Sequence, residues 1–260
     1  MDYLKKYDEN PFEDLYWNIP EQKQGIVNIV GGNSQVFRTS VKTAEFLSGK
    51  YPVREVRIVF PDALQGMLPN LNNLVFLKST DSGSFGDSDQ LVAAFNAGDY
   101  NVLVGDLSRN SITEKAVRSA SETSDKPLLI TRDAVDLVAS SGAERMLMND
   151  NVILMASVAQ LQKLFRAVYY PKVLLMSQSL VQVVEALHKF TLSYPVSLIT
   201  LHDGQIIVVK NGEVAVVPLE KSGYAPFTVW SGELAAKIAA LNVFNPNQFV
   251  NATVAAIYAR

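Results

Sequence analysis

The sequence contains no cysteine and only two histidines, His188 and His202, among its 260 residues. Without cysteine the chain has no disulfide framework, no thiolate nucleophile and no cysteine-ligated metal site. A site built from two or three histidines is not expected either, so we predict no metal-binding residues. The absence of cysteine also fits a reducing cytoplasm, which is the location that we expect.

Long apolar runs and an excess of charge of either sign are also missing. No run approaches the roughly 20 residues that a membrane-spanning helix needs. Residues 1–17 are acidic and aromatic, without the apolar core of a signal peptide. The formal net charge is −3, which does not favour binding to nucleic acid or to an acidic membrane surface. We therefore expect neither kind of partner.

What the sequence does contain is a regular alternation of strands and helices. Apolar runs such as those at 25–32 and 53–61 are predicted strands, and stretches with helical spacing follow most of them. Strands of this continuous apolar kind are typical of a mostly parallel sheet that is buried on both faces. Residues 196–219 are predicted to form three strands joined by turns at 202–204 and 211–212, which adds antiparallel strands at one edge.

The chain divides into a leader and one domain. Residues 1–24 are a polar leader, and residues 25–260 show no internal repeat, linker or low-complexity stretch. A hydrophobic content of 48% is enough to fill the core of a single α/β domain of this size. We expect the leader to pack on its own domain or on a neighbouring subunit of a homo-oligomer, because it carries the aromatic residues Tyr3, Tyr7, Phe12, Tyr16 and Trp17.

Small and acidic residues stand where predicted strands end and helices begin. Gly31-Gly32-Asn33-Ser34 follows the first strand of the domain, Gly105-Asp106 follows another, and Asp133 ends a third. Ser231-Gly232-Glu233 opens a helix near the C-terminus. The N–H groups at such a helix start are suited to bind phosphate.

The order of these motifs resembles that of the ADP/ATP-dependent NAD(P)H-hydrate dehydratases, in the ribokinase-like superfamily. The resemblance runs from about residue 22 to the C-terminus. This chain has Gly31-Gly32-Asn33 where the family has Gly-Gly-Ser, and Trp230-Ser231-Gly232-Glu233 where the family has Gly-Thr-Gly-Asp before a long helix. The resemblance implies a ribokinase-like three-layer α/β/α sandwich with a mostly parallel central sheet and antiparallel edge strands.

Several family residues are replaced in this chain. The Gly-Pro-Gly-Leu-Gly turn keeps only Gly105, and residues 133–137 stand in place of Asp-Ala-Asp-Ala-Leu-Asn. Residues 154–160 have neither the histidine nor the acid of Leu-Thr-Pro-His-Pro-Gly-Glu, and residues 199–203 lack the lysine of Leu-Lys-Gly. Glycines let backbone amides approach phosphate and a lysine adds a positive charge there, so these losses weaken the expected site.

The resemblance implies a role for each residue that matches a family motif. Ser231 and Gly232 would bind the phosphates of the cofactor, ATP or ADP with or without Mg²⁺. Glu233 would be the catalytic base, one methylene longer than the family's aspartate. The substrate, a small dinucleotide or nucleotide, would contact Gly31, Gly32, Asn33, Thr39, Gly105, Asp133 and Ser157.

The main candidates also have purely structural interpretations, and these stay open. Ser231 is then an N-cap, and Glu233 is a first-turn acid that stabilises the helix dipole. The glycines at 31 and 32 make a tight strand-to-helix turn, and Asp133 caps the helix that follows it.

Two classes of function follow. In the first, the protein is an enzyme that uses a nucleotide to phosphorylate the hydroxyl of hydrated NADH or NADPH, after which phosphate is eliminated. A carbohydrate-kinase-like enzyme for another small hydroxyl compound is a variant of this class. In the second, a catalytically degenerate descendant keeps the fold for ligand binding or for oligomer assembly. The simultaneous loss of a lysine, a histidine, an acid and several glycines favours the second class.

Overall fold

A computed structural model describes residues 2–8, 19–68, 71–140 and 142–259. These residues contain ten strands in one sheet. In chain order they are β1 Leu4–Lys6, β2 Gln24–Val30, β3 Val53–Pro61, β4 Leu74–Leu77, β5 Tyr100–Leu103, β6 Leu128–Thr131, β7 Val152–Met155, β8 Ser197–His202, β9 Gln205–Lys210 and β10 Glu213–Pro218. Their order across the sheet is β1-β10-β9-β8-β7-β6-β5-β2-β3-β4.

Of the strands described, β9 alone runs against the others. β2 pairs in parallel with β3 and β5, and parallel pairing continues through β6 and β7 to β8. The antiparallel pairs are β8–β9 and β9–β10, which confirms the three strands predicted at 196–219. Both turns use two consecutive residues with positive φ, Asp203-Gly204 and Asn211-Gly212, a backbone geometry that matches the twist of the flanking strands.

Helices cover both faces of the sheet, so the predicted three-layer α/β/α sandwich is confirmed. One face packs against three long helices and a short one, and the other face packs against the remaining six. The first group is α1 Arg38–Lys50, α8 Leu219–Ser222, α9 Glu233–Phe244 and α10 Phe249–Tyr258; the second is α2 Ser88–Asn96, α3 Ser111–Thr123, α4 Asp133–Val138, α5 Glu144–Leu147, α6 Val158–Ala167 and α7 Leu180–Ser193. None of the helices in the described ranges is long and apolar enough to cross a bilayer.

The last two helices begin later than the sequence pattern predicts. The pattern places their starts near 231 and 245, whereas α9 begins at Glu233 and α10 at Phe249. Residues 228–230 form a separate 3₁₀ turn before α9. Both helices are buried along nearly their whole length. They therefore have no polar face, and the spacing of polar and apolar residues does not indicate where either helix begins.

Residues 2–8 of the leader lie at the edge of the sheet of their own chain. β1 pairs in parallel with β10, and Lys5 forms an ion pair with Glu213 at 2.9 Å. The ring of Tyr3 stacks on His188 with 3.6 Å between centroids, and the Tyr258 hydroxyl donates to the carbonyl of Tyr7. The other aromatic residues of the leader, Phe12, Tyr16 and Trp17, lie outside the described residues. The division of the chain into a leader and one domain stays a prediction.

A pair of buried asparagines joins two central strands to a helix. Asn28 in β2 and Asn101 in β5 are at most 1% exposed, and the Asn28 amide donates to the Asn101 oxygen at 2.9 Å. Asn28 also donates to the carbonyl of Ala94, and Asn101 donates to that of Phe95. Both carbonyls lie in the last turn of α2, where the helix itself offers no donor. The Asn28 amide therefore supplies a donor to the Ala94 carbonyl, and the Asn101 amide adds a second donor to the Phe95 carbonyl, which also accepts from the N–H of Gly98 at 3.3 Å.

Replacing Asn101 with alanine should lower the free energy of unfolding by about 1–3 kcal/mol, because it removes the oxygen that accepts from the buried Asn28 amide and leaves the Phe95 carbonyl with only the N–H of Gly98. Chemical denaturation of N101A, N28A and the double variant measures this. The two asparagines share one hydrogen bond, so the double variant should lose less stability than the sum of the single losses. Strictly additive losses would contradict the proposed coupling.

Candidate functional site

The parallel strands end at one edge of the sheet, and the turns after β2, β5 and β6 are in contact there. The Gly32 N–H after β2 donates to the carbonyl of Gly105 after β5 at 3.0 Å. The Asp133 carboxylate after β6 accepts hydrogen bonds from the N–H groups of Asp106 and Leu107, at 2.9 and 3.2 Å. The structure thus brings together three of the positions predicted from the sequence, 31–32, 105 and 133, at the strand ends where open α/β sheets bind ligands.

The sequence allows Asp133 to cap α4, but its carboxylate has other partners. It does not cap α4, because the N-cap is Arg132 and no side chain caps that helix. Its carboxylate instead holds the turn after β5. Gly105 has a φ of 87°, and a Cβ atom there would overlap the Asp133 carboxylate. The glycine is therefore required by this packing.

Asn33 and Ser157 are both engaged in shaping their turns. The Asn33 oxygen accepts from the N–H of Val36 at 3.1 Å, and its amide donates to the carbonyl of Asp106 at 2.7 Å. Ser157 forms a capping box with Gln160 at the start of α6. The Gln160 amide also donates to the carbonyl of Arg132 at 2.7 Å. The turn at Ser157 is linked in this way to the turn after β6.

An ion pair that the sequence reasoning missed lies between the turns after β5 and β6. The Arg132 guanidinium donates to the Asp106 carboxylate at 3.1 Å, and the Asp106 side chain is only 8% exposed. Both residues have a φ of 58°, a strained conformation for residues other than glycine. Asp106 Oδ2 and Arg132 Nε are buried without a hydrogen-bond partner. The sequence showed Asp106 as a replaced family residue, but gave no signal for Arg132.

The N-terminus of α9 is left without a side-chain cap. Its N-cap is Gly232, with a φ of 99°, and no side chain accepts from the first N–H groups. The structural interpretation of Ser231 as the N-cap is therefore wrong, because the preceding 3₁₀ turn moves Ser231 one residue outside the cap. Gly232 packs on α1: a Cβ atom there would overlap the Thr43 hydroxyl and would lie 3.8 Å from the Thr39 methyl group.

Near this helix start, two buried hydroxyl groups of α1 form no hydrogen bond. Ser40 is 0% exposed and Thr43 is 1% exposed, and neither hydroxyl oxygen forms a hydrogen bond. The Ser40 oxygen lies 3.2 Å from the Cβ position of Gly31, and Thr43 faces Gly232. These hydroxyls therefore lie between the turn after β2 and the N-terminus of α9. The sequence signal for them was small polar residues on the apolar face of a predicted helix.

Ser231 and Glu233 line a cavity on the side of α9 that faces α8. Its volume is about 460 Å³, and it is lined by Ser222, Gly223, Tyr224, Thr228, Ser231, Glu233, Lys237 and Ala259. None of the strand-end residues is part of this lining. The structure therefore separates the predicted site into two parts, with Gly232 between the strand ends on one side and this cavity on the other.

Lys237 is the buried cation of this cavity. It is 7% exposed, its ammonium donates to the carbonyl of Ala259, and it lies 4.9 Å from the centroid of the Tyr224 ring. Burial lowers the pKa of Lys237, and the nearby Glu233 carboxylate opposes that effect. Burial also raises the pKa of Tyr224, whose hydroxyl has no hydrogen-bond partner. Sequence reasoning missed Lys237 because a lysine one turn into a helix usually lies in solvent.

A protein metal centre is not formed by the described residues. Within these ranges no three histidine, aspartate or glutamate side chains come close enough to hold a metal ion. The two histidines instead bond to backbone groups: His188 Nδ1 contacts the carbonyl of Gly212 at 2.6 Å, and His202 Nε2 contacts that of Gln178 at 2.8 Å.

Solved structures share this architecture at low sequence identity. A ribokinase-like superfamily protein from Enterococcus faecalis aligns with a TM-score of 0.69 at 14% identity, over 99% of this chain and 86% of that one. The chain has the ribokinase-like fold. An ADP/ATP-dependent NAD(P)H-hydrate dehydratase from Bacillus subtilis, co-crystallised with ATP/Mg²⁺ and soaked with CoA, aligns with a TM-score of 0.58 at 12% identity, over 93% and 82% of the two chains.

Kinases are also among the similar structures. The ADP complex of a pyridoxal kinase from Bacillus subtilis aligns with a TM-score of 0.50 at 12% identity, over 91% of this chain and 89% of that one. No protein-family model matches the sequence, and no curated protein matches it. Likeness at these identities establishes the ribokinase-like fold alone, because one fold can carry many activities.

Replacing Lys237 with methionine should change how stability depends on pH. The pKa of Lys237 is lower in the folded state than the ordinary value of 10.5, so the unfolded chain binds this proton more tightly. The free energy of unfolding of the wild type should then rise relative to that of K237M as the pH approaches 10.5 from below. Denaturation across this range, with the exposed Lys115→Met as control, measures the difference. A constant difference would contradict it.

Proposed function

We propose that the protein binds the phosphates of a nucleotide at the N-terminus of α9. The observation that carries this proposal is the uncapped helix start at Gly232, with the partnerless hydroxyl of Thr43 against it and the partnerless hydroxyl of Ser40 against Gly31. The first N–H groups of a helix and its positive dipole end favour an anion. A phosphate oxygen would accept hydrogen bonds from these N–H groups and from the two hydroxyls.

The adjoining cavity supports a nucleotide as the source of that phosphate. Its volume of about 460 Å³ lies within the range of small-molecule sites. Lys237 adds a buried positive charge close to the helix start, and the Tyr224 hydroxyl lacks a partner. The residues present therefore fit ATP or ADP. Mg²⁺ needs few protein ligands when nucleotide phosphates and water coordinate it, so the lack of a metal-binding cluster among the described residues is compatible with it.

The reaction that this arrangement supports best is phosphoryl transfer to a small hydroxyl compound. ATP or ADP supplies the phosphoryl group. Glu233, exposed at the first turn of α9, accepts the proton of the substrate hydroxyl, and the N–H groups beside it stabilise the negative charge on the transferred group. The candidate substrate is hydrated NADH or NADPH, placed by residues 31–33, Thr39, Gly105, Asp133 and Ser157. Elimination of the phosphate, with loss of a proton from the neighbouring ring carbon, would then restore the double bond of the dinucleotide.

The Thr43 hydroxyl gives a test of nucleotide binding. Thr43→Val replaces a buried hydroxyl without a partner by a methyl group, so stability without ligand should be unchanged or higher. Affinity for ATP or ADP, measured by calorimetry, should fall about 3- to 10-fold. Ser197→Ala is the matched control, because Ser197 is also buried without a partner but lies at the opposite end of the sheet. Equal nucleotide affinity in wild type and T43V would argue against the site.

The role of Glu233 is tested by turnover. With NADH hydrate and ATP or ADP, wild type should form NADH, and Glu233→Gln should do so about 10²- to 10⁴-fold more slowly while still binding the nucleotide. Glu45→Gln, an exposed change in α1, should behave as wild type. Equal rates in E233Q and wild type would remove Glu233 from the mechanism.

A second candidate function is nucleotide binding without turnover. It is favoured by the strand ends, where Asp133, Asn33 and the Asp106–Arg132 ion pair bond to one another. At the end of β8, where the family has a lysine, His202 contacts a backbone carbonyl. Binding of ATP or ADP with no product from the hydrate in wild type would establish this function over the first. A homo-oligomer stays a prediction that sedimentation tests.

A further inference from the structure

The two outer strands of the sheet differ in how they are protected. At one edge β1, which the leader contributes, pairs with β10 and carries the exposed residues Lys5 and Lys6. Charged side chains on an outer strand, lysine above all, discourage a further strand from pairing with it. At the other edge β4 pairs with β3 alone, and its residues Leu74–Leu77 include no charged side chain and no proline. This second edge therefore lacks the protection that the first one has.

The backbone of β4 presents unpaired hydrogen-bonding groups along this edge. The Ile58 N–H of β3 donates to the carbonyl of Asn73 at 3.0 Å, so Asn73 directs its backbone groups at β3. Successive residues of a strand direct these groups to opposite sides. The backbone groups of Val75 are therefore directed at β3, and those of Leu74 and Phe76 are directed away from it. Among the residues that the structure describes, none bonds to the outward N–H and C=O groups of Leu74 and Phe76.

The side chains of β4 add apolar surface at the same edge. Leu74, Val75 and Phe76 are only partly buried, whereas every residue of the equally short strands β5, β6 and β7 is buried. Met67, in the segment that leads to β4, is 57% exposed. An apolar outer strand with unpaired backbone groups is a surface to which another strand can be added.

A second copy of the same strand matches this edge in an antiparallel arrangement. Antiparallel strands exchange hydrogen bonds between residues whose backbone groups face each other. A two-fold axis at Val75 sets Leu74 opposite Phe76 of the second copy, and both such pairs then exchange N–H···O=C bonds. Val75 lies opposite Val75 of the second copy, with the two side chains on the same face of the sheet. In this register Lys78 comes opposite Asn72, so like charges do not meet.

We propose that two copies of the chain associate through their β4 strands, which pair antiparallel and continue one sheet across both subunits. The strand itself favours a second copy, because apolar side chains then face apolar side chains and each outward N–H meets an outward C=O. A strand of another protein would satisfy the backbone groups as well, but the uncharged residues Leu74–Leu77 carry nothing that would select it. The edge contains no residue of the proposed nucleotide or substrate site, so this interface does not depend on the proposed function.

The absence of cysteine from the chain makes cross-linking a direct test of the register. Residues opposite each other in a non-hydrogen-bonded antiparallel pair have Cα atoms about 4.5 Å apart, which is within the range that a disulfide spans. Under mild oxidation the full chain with Val75→Cys should therefore form a covalent dimer that a reducing agent separates. Val181→Cys, at a position in α7 that is 50% exposed, should give little covalent dimer. Equal cross-linking of the two variants would overturn the proposal.

Sedimentation of the same chain without cysteine tests the interface independently. The wild type should sediment as a dimer, and Leu74→Lys should raise the dimer dissociation constant about tenfold or more by placing a charge on the outer strand. Ile112→Lys, at a position in α3 that is 58% exposed, should sediment as the wild type does. A monomeric wild type, or a folded Leu74→Lys that dimerises as strongly as the wild type, would overturn the proposal. Circular dichroism checks the fold of Leu74→Lys, and the cysteine variants decide if it does not fold.

Discussion

The carboxylate of Asp133 is the group on which the arrangement of the strand ends depends. It accepts hydrogen bonds from the N–H groups of Asp106 and Leu107, so the residue after β6 fixes the turn after β5. The carboxylate leaves no room for a side chain at Gly105, and the carbonyl of Gly105 in turn receives the N–H of Gly32. The turn after β2 is therefore linked to the Asp133 carboxylate two strands away. Because this turn leads into α1, the same carboxylate helps to position the hydroxyls of Ser40 and Thr43.

The layered sheet could be predicted because its physical signals are local. Parallel strands covered on both faces are continuous apolar runs, and the two hairpin turns contain Asp-Gly and Asn-Gly, the residues that adopt positive φ at low cost. The starts of α9 and α10 could not be predicted in the same way. Both helices are buried almost all round, so nothing in the spacing of their residues marks where a solvent-facing side begins or ends.

The proximity of the strand-end residues was predictable, whereas their contacts and the separation of Ser231 and Glu233 from them were not. Residues 31, 105 and 133 follow strands, and parallel strands end at one edge, so their proximity follows from topology. The Asp106–Arg132 ion pair joins residues 26 positions apart and needs positive φ at both, which no residue pattern indicates for an aspartate and an arginine. Lys237 was missed for a different reason: its burial depends on Ala259 and Tyr224, which reach it only through the packing of α8 and α10.

Gly232 shows why a glycine at a helix start does not by itself identify a phosphate site. Packing on Thr43 alone requires a residue without a side chain there, so the glycine would be present whether or not a ligand binds. The hydroxyls of Ser40 and Thr43 are different, because packing does not explain them. A buried hydroxyl without a hydrogen bond costs about 1–3 kcal/mol relative to an apolar group of the same shape. The Thr43 hydroxyl lies against Gly232 at the uncapped helix start, and the Ser40 hydroxyl lies against Gly31. A bound anion with several oxygen acceptors would offset the cost of the unpaired hydroxyls and of the uncapped N–H groups. The hydroxyls and the uncapped helix start therefore indicate a phosphate site more strongly than the glycine does.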